Sequence, residues 1–432
     1  MRKMKDSGIS WIGEIPEDWS IEKFKTLFSF GRGLPITKDN LIDYGIPVIS
    51  YGQIHSKENN GVHILPSLLR YVSPDFLNSN PQSLVSFGDI IFADTSEDYE
   101  GIGNNIFIDY QKQIFAGYHT IIVRTNTKYN YFAYLFKTDN WRSQLRSIAS
   151  GIKVYSITQK MLKDIEIIVP PQIEQSRIQQ YLDTKCSKID SIITKIRTLI
   201  DKLKEYKQSV ITQAVTKGLD PDVPMKDSGV PWIGEIPEQW GILKIKNIAS
   251  VRSEQHHPDE EVLSVYRDYG VIIKSSRDDN FNRTSENTDI YKLVCEGDLV
   301  INKMKTWQGS LGISKYRGIV SPAYYIFRIF SDNIHNLYLH FLLRSIIYLP
   351  VYMRISSGIR INQWDLDLDE FKNLEIITPQ LSEQISIARY LDNKCAEIDS
   401  KIEKQESVIE RLESYKKSII YEFVTGKREI PQ

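Results

Sequence analysis

Apolar residues recur at alternating steps of four and three along one stretch of the chain: Leu182, Cys186, Ile189, Ile193, Ile196, Ile200, Leu203, then the polar Lys207, then Val210 and Ala214. The pattern returns 209 positions later without a gap, at Leu391, Cys395, Ile398, Ile402, Gln405, Ile409, Leu412, Lys416, Ile419 and Phe423. A seam of this 3.5-residue period is that of a coiled coil, and it predicts two helices of about 40 residues, roughly 60 Å long at 1.5 Å per residue. They fall within Pro170–Gly218 and Pro379–Lys427. A seam so narrow needs a partner, and the nearest is the other copy. The two can lie parallel or antiparallel; antiparallel is expected, because it sets two similar intervening domains at opposite ends of one rod. Lys207 and Lys416, at equivalent seam positions, either set register, face a partner or snorkel to solvent.

Ahead of each helix the pattern changes. The runs Gly45 to Tyr51, Asp89 to Ala93, His119 to Arg124, Val271 to Lys274, Asp298 to Asn302 and Tyr324 to Ile329 read as strands, being β-branched and aromatic between Gly, Asn and Asp. Tyr131 to Lys137, Trp141 to Ala149 and Leu337 to Ile347 read as short helices. Each half opens on a second repeat. Met4 to Trp19 and Met225 to Trp240 are identical at 13 of 16 positions. Their tryptophans and Ile-Pro pairs read as a packed hook over the start of each domain. The predicted fold is α+β: two mixed α/β domains joined by two long helices packed as an antiparallel coiled coil, with a pseudo-twofold internal repeat. The boundaries are 1–169, 170–218, 219–378 and 379–432.

The segments between opener and helix are distant copies. Gly88-Asp89-Ile90-Ile91 matches Gly297-Asp298-Leu299-Val300, and Ser150-Gly151-Ile152-Lys153 matches Ser357-Gly358-Ile359-Arg360. Near-identical connectors thus carry divergent heads, which suggests two readers of different things. Val424-Thr425-Gly426-Lys427 echoes the helix stop at Val215-Thr216-Lys217-Gly218, so the termini are expected close together.

Composition narrows the chemistry. Of 432 residues, 41% are hydrophobic and 25% charged, as in ordinary globular proteins, and the length calls for more than one core. Cys186, Cys295 and Cys395 make no disulfide framework, which suits a reducing cytoplasm. No signal peptide or membrane-length apolar run is read, so a cytoplasmic location without membrane contact is expected. The net charge is −1. Segment 1–170 holds 18 basic and 18 acidic residues, and 222–378 holds 18 and 21. Charge alone therefore gives no support for nucleic-acid binding, which would need local patches or basic partners. Asn80-Pro81-Gln82-Ser83 lacks the second proline and the aromatic of an adenine-methyltransferase loop. There is no GxxxxGK[ST] loop, and His256-His257 has no ligand at metal spacing. No catalytic residue and no metal site are predicted.

The openers, Pro170-Pro171-Gln172-Ile173-Glu174-Gln175, Tyr181-Leu182-Asp183 with Lys185, Ile189-Asp190 and the linker Val215-Thr216-Lys217-Gly218-Leu219-Asp220-Pro221 resemble the specificity subunit of a Type I restriction-modification system. The resemblance covers the whole chain and its motif order. It implies a non-catalytic subunit with two target recognition domains, each reading one half of an asymmetric, bipartite double-stranded DNA target while the helices set the spacer. It also implies two methyltransferase subunits that hold S-adenosylmethionine and flip the adenine, and restriction/translocase subunits that use ATP and Mg. The chain itself would bind no cofactor. Two other readings stand beside it: a coiled-coil scaffold with two protein-binding heads, favoured by the charge balance, and a specificity subunit serving a fused methyltransferase-nuclease partner.

Base reading calls for forked donors and acceptors on loops. The candidates are Arg32, Lys38, Gln53, His55, Lys57, His119, Lys153 and Tyr155 in the first domain. In the second they are Arg252, Gln255, His256, Arg277, Lys303, Lys305, Gln308, Arg360 and Asn362. Each taken singly is more often a solvated surface group than a contact. Lys153 and Arg360, repeated after Ser-Gly-Ile just ahead of each helix, fit a shared phosphate contact or an exposed charge on a glycine turn.

Overall fold

The computed structural model describes residues 2–125, 129–277, 284–285, 287–360 and 363–431. Two long helices dominate, Gln172–Lys217 with 46 residues and Leu381–Val424 with 44. Pro170 and Pro171 precede the first, and Gly218, at φ +80°, ends it. The chain divides into two compact units, 1–195 with 407–432, and 196–406. Each unit therefore holds one mixed domain, the start of one long helix and the end of the other.

In the first unit the two helix segments run antiparallel. Tyr181 packs on Phe423 with ring centroids 4.5 Å apart, and nine residues further along the first helix Asp190 pairs with Lys416, seven residues back along the second. Leu182, Cys186, Ile189 and Ile193 share one core with Ile419, Ile420 and Phe423. The second unit repeats this with Val210, Ile211, Ala214 and Val215 beside Ile387, Ala388, Leu391 and Cys395. All three thiols are free.

The first domain is built on two four-stranded sheets. In one, Ile90–Ala93 lies between Asn105–Phe107 and Thr120–Arg124, with Ser29–Arg32 at the edge. In the other, Ile46–Ile49 lies between Arg70–Val72 and Ile114–Ala116, and the pairing with Ile114–Ala116 is parallel. The Gly45–Tyr51 run is thus a strand only to Ile49. The Ser50 carbonyl accepts from the Gln53 amide at the start of a helical turn, Tyr51–Ile54, and the Gln53 side chain accepts from the Ser50 amide at 3.1 Å. In the second domain Leu299–Asn302 sits between Leu311–Ile313 and Tyr324–Ile329, with Ala249–Arg252 at the edge. The Leu337–Ile347 run splits into a helix, Asn336–Leu343, and a 3-10 turn, Ile346–Tyr348, because Ser345 breaks the helical bonding.

The openers were legible as packed hooks, and both fold as small antiparallel hairpins, Met4–Asp6 with Glu14–Pro16 and Met225–Asp227 with Glu235–Pro237. Trp19 and Trp240 are 1% and 2% exposed. Each indole N–H donates to the first turn of the long helix that follows its domain, Trp19 to Glu174 at 2.8 Å and Trp240 to Glu383 at 2.9 Å. Tyr131 Oη donates to the carbonyl of Val424, at the end of the second long helix, at 2.8 Å. Tyr338 Oη reaches the matching carbonyl, that of Val215 at the end of the first long helix, at 3.5 Å, and lies nearer the Ile377 carbonyl, at 3.2 Å. At the end of the chain Lys427 Nζ reaches the Glu14 carbonyl at 2.8 Å. A Cβ on Gly426, at φ +69°, would lie 2.4 Å from Pro16, so this close return requires glycine. No described helix is long and apolar enough to cross a membrane.

Candidate nucleic-acid interface

In the first domain the meeting point of the candidate loops is the segment that follows the central strand, residues 94–96. His55 Nε2 donates to the Thr95 carbonyl at 2.8 Å, and its Nδ1 accepts from Asn104 at 2.9 Å. Both ring nitrogens are therefore occupied in holding loops together. The Asp94 amide donates to the His119 carbonyl, and the His119 ring lies 3.3 Å from the Asp94 carboxylate. His119 adopts φ +54°, a conformation costly for a non-glycine residue. Its exposed ring packs edge-on with Tyr51 at 5.4 Å and Tyr118 at 6.0 Å. Tyr155 pairs with Ser96 in a two-residue ladder, and the Ile157 amide closes onto the Asp94 carbonyl at 2.9 Å.

His55, His119 and Tyr155 thus come together. Gln53 is spent on its helix cap. Arg32 lies at the end of the edge strand, on a cavity of about 550 Å³ shared with Asn80, Gln82 and Arg124. Lys38 starts an exposed turn, and Lys57 is exposed after the Tyr51–Ile54 helix. Lys153 is exposed on the hairpin between Ser150 and Ser156.

The second domain builds the same junction from different residues. The Leu366 amide donates to the Lys303 carbonyl at 3.0 Å, each partner 209 positions on from Ile157 and Asp94. Here the segment after the central strand is cationic. Lys303 Nζ sits 4.4 Å above the Tyr325 ring, Lys305 is exposed, and Gln308 closes the 3-10 turn Thr306–Gln308. In the first domain the matching loop carries Asp94, Glu97, Asp98 and Glu100, with Arg146 at 2.9 Å from Glu100.

Arg252, Gln255, His256 and His257 form a separate cluster. Arg252 donates to Glu254 at 2.6 Å and to the Cys295 sulfur at 3.0 Å, which raises the arginine above its usual range. The bond from Arg252, with one from His257, holds the Glu254 carboxyl below its ordinary value. His256 pairs with Asp289, and Gln255 donates to the Ile290 carbonyl. These side chains are already engaged within the domain. The Arg277 guanidinium lies 4.6 Å over Tyr269. The Arg360 side chain and Asn362 lie outside the described residues. Among the described residues no group of three His, Cys, Asp or Glu is placed to hold a metal ion.

Of the aromatic residues at the two junctions only Tyr155 was among the candidates drawn from the sequence; Tyr99, Trp307 and Trp364 were missed. Across each junction lies an aromatic pair, Tyr99 with Tyr155 at 5.8 Å and Trp307 with Trp364 at 5.0 Å. The signal was present, since the 209-residue offset that matches Ile157 with Leu366 also matches Tyr155 with Trp364.

A family model described as the type I restriction modification DNA specificity domain matches residues 16–202 and again 237–411. The chain is 24% identical over 426 residues to a putative type I restriction enzyme MjaX specificity subunit of Methanocaldococcus jannaschii, covering 96% of this chain and 95% of that one. It is 23% identical to the type I restriction enzyme StySPI specificity subunit of Salmonella potsdam, covering 96% and 90%. Among solved structures, it resembles a chain from work on complex assembly and conformational transition of the type I R-M system (TM-score 0.68, 15% identity, 96% and 99% covered). It also resembles the HsdS subunit from Thermoanaerobacter tengcongensis (TM-score 0.50, 15% identity, 96% and 98% covered).

Proposed function

We infer the function from what the chain is: it belongs to the type I restriction-modification DNA specificity family, whose members are non-catalytic subunits that bind DNA. The observation that carries the reading is the doubling. The family model matches both halves, and both domains form the same junction, Ile157 to Asp94 and Leu366 to Lys303, from dissimilar side chains. Two readers with different chemistry select an asymmetric, two-part target, one half-site to each domain, and the long helices set the unspecified base pairs between.

His119, Lys153 and Tyr155 in the first domain and Lys303, Lys305 and Gln308 in the second are the strongest contact residues, being at the two junctions. Lys153 and Arg360 would bind phosphate, which positions the protein without specifying bases. His55, Gln53, Arg252 and His256 support the loops. Two methyltransferase subunits would bring S-adenosylmethionine and the adenine chemistry, and restriction subunits ATP and Mg. The chain would act in the cytoplasm, where the DNA is.

The test is to coexpress the chain with its methyltransferase subunits and map methylated adenines genome-wide, with and without this chain. A bipartite asymmetric motif that depends on the chain is expected. A palindromic motif, or none, overturns the reading.

A further inference from the structure

The hairpin that precedes the first long helix turns at Gly151. Its φ is +124°, and a Cβ there would lie only 1.9 Å from the Val154 carbonyl oxygen, so the position admits no side chain. That turn lifts Ile152 to 95% exposure and leaves Val154 half exposed, with Lys153 between them. An isoleucine so bare has no role in the core. Behind the tip stands the aromatic pair, Tyr155 on the hairpin and Tyr99, 49% exposed, on the loop after the central strand. The second unit has Trp364 on its hairpin and Trp307 on the matching loop, flanked by Lys303 and Lys305.

We propose that in each unit this face, the hairpin of Tyr155 with the loop of Tyr99 in the first and the strand of Trp364 with the loop of Trp307 in the second, enters a groove of duplex DNA. There its apolar groups, Ile152 with Tyr99 and Tyr155 in one unit and Trp307 with Trp364 in the other, seat against deoxyribose and thymine methyl groups. The inference rests on the DNA-binding reading and adds that apolar contact, and not only cation to phosphate, carries half-site recognition. Duplex DNA fits because a cation stands beside the apolar groups on each face, Lys153 between Ile152 and Val154 in the first unit and Lys303 and Lys305 beside Trp307 in the second, where each can reach a phosphate. The faces differ in polar lining. Glu97 and Asp98 beside Tyr99 offer acceptors for an exocyclic amino group such as that of cytosine, whereas Lys303 and Lys305 beside Trp307 offer donors for guanine.

The test uses the chain with its methyltransferase subunits and a synthetic duplex carrying the two-part motif that methylation mapping assigns, with versions in which one half-site is scrambled. Ile152→Ser removes no packing, so its melting temperature should match the parent. It should bind the motif duplex roughly tenfold more weakly, with the loss confined to the half-site of the first unit. Trp307→Ala should do the same at the other half-site, and Trp307→Phe should restore most of the affinity. Should Trp307→Ala fail to fold, Lys305→Glu probes that face without touching the core. Parental affinity for Ile152→Ser together with Lys305→Glu overturns the proposal, as does loss of methyltransferase copurification in place of loss of DNA affinity. A parent complex that binds no motif duplex would instead overturn the function itself.

Discussion

Lys416 Nζ donates to both carboxylate oxygens of Asp190, at 2.6 and 2.7 Å. The equivalents of the two residues, Lys207 and Asp399, make the same pair in the second unit at 2.8 and 2.6 Å. The lysine in each apolar seam thus finds an acid on the facing helix. A slip by one heptad would separate donor from acceptor by about 10 Å, so these pairs favour one register over its neighbours.

Replacing Lys416 with Met should therefore cost little, about 1 kcal/mol, because Asp190 is half exposed. Lys416→Glu should cost more, since it opposes two carboxylates, and adding Asp190→Lys should recover most of the loss. Urea denaturation of the three variants checks this. An unrepaired double variant would show that the pair does not set register.

Trp240 ties the second opener to the helix that begins at Leu381, through its bond to Glu383. Trp240→Phe keeps most of the buried ring and leaves the Glu383 carboxylate short of a donor, for an expected loss of about 1–2 kcal/mol. Trp240→Ala also opens a cavity and should lose about 3–5 kcal/mol. Denaturation midpoints separate the two.

Lys137 is half-buried, and desolvation, helped by nearby Lys416, lowers its pKa to about 8. Its value in the unfolded chain is near 10.4. Between those values the unfolded state holds more protons, so stability rises with pH there. Cys186 and Cys395 work in the opposite sense: burial raises each thiol to about 11, so stability falls from their unfolded value upward. The net gain should be confined to pH 8 to 9. Lys137→Met should abolish that rise, as read by stability at pH 7, 8 and 9.

Burial lowers His340, on the helix Asn336–Leu343, to about 3, and its Nδ1 accepts from the Ile313 amide at 3.2 Å. The unfolded histidine takes up a proton near pH 6.5 while the folded one stays neutral. The second unit should therefore lose stability steadily as pH falls from about 6.5 toward 3. His340→Gln, which keeps an acceptor without the titration, should move acid unfolding to lower pH in a circular-dichroism titration.

Lys153 stands free of core packing on its hairpin. If it holds a phosphate, Lys153→Ala should weaken motif and scrambled duplexes alike and lower the slope of log affinity against log salt by about one. Loss of discrimination at a single base pair would mark it as a base reader.

Repeats carried much of this into view from the sequence. The seam positions Leu182 to Ala214 and Leu391 to Phe423, the openers ending at Trp19 and Trp240, and the strands around Ile90 and Leu299 were all legible, because each depends on periodicity along one segment. The contact residues were not. Gln53, His55 and Arg252 have the right donors and acceptors, yet the fold engages those groups within the domain, with the Ser50 amide, the Thr95 carbonyl and Glu254. Tyr99 and Trp307 gained meaning when distant segments met them.

What the sequence by itself determined is therefore the order and type of the elements, the two long helices and the near-duplication of the halves, since local spacing decides which face of a segment is apolar. The tertiary structure alone decided that the helix segments pair antiparallel, with Asp190 opposite Lys416, and that Ile152 stands bare beside Tyr155. Those facts depend on which distant surfaces bury each other, and hydrogen-bond partners far apart in the chain leave no periodic trace in it.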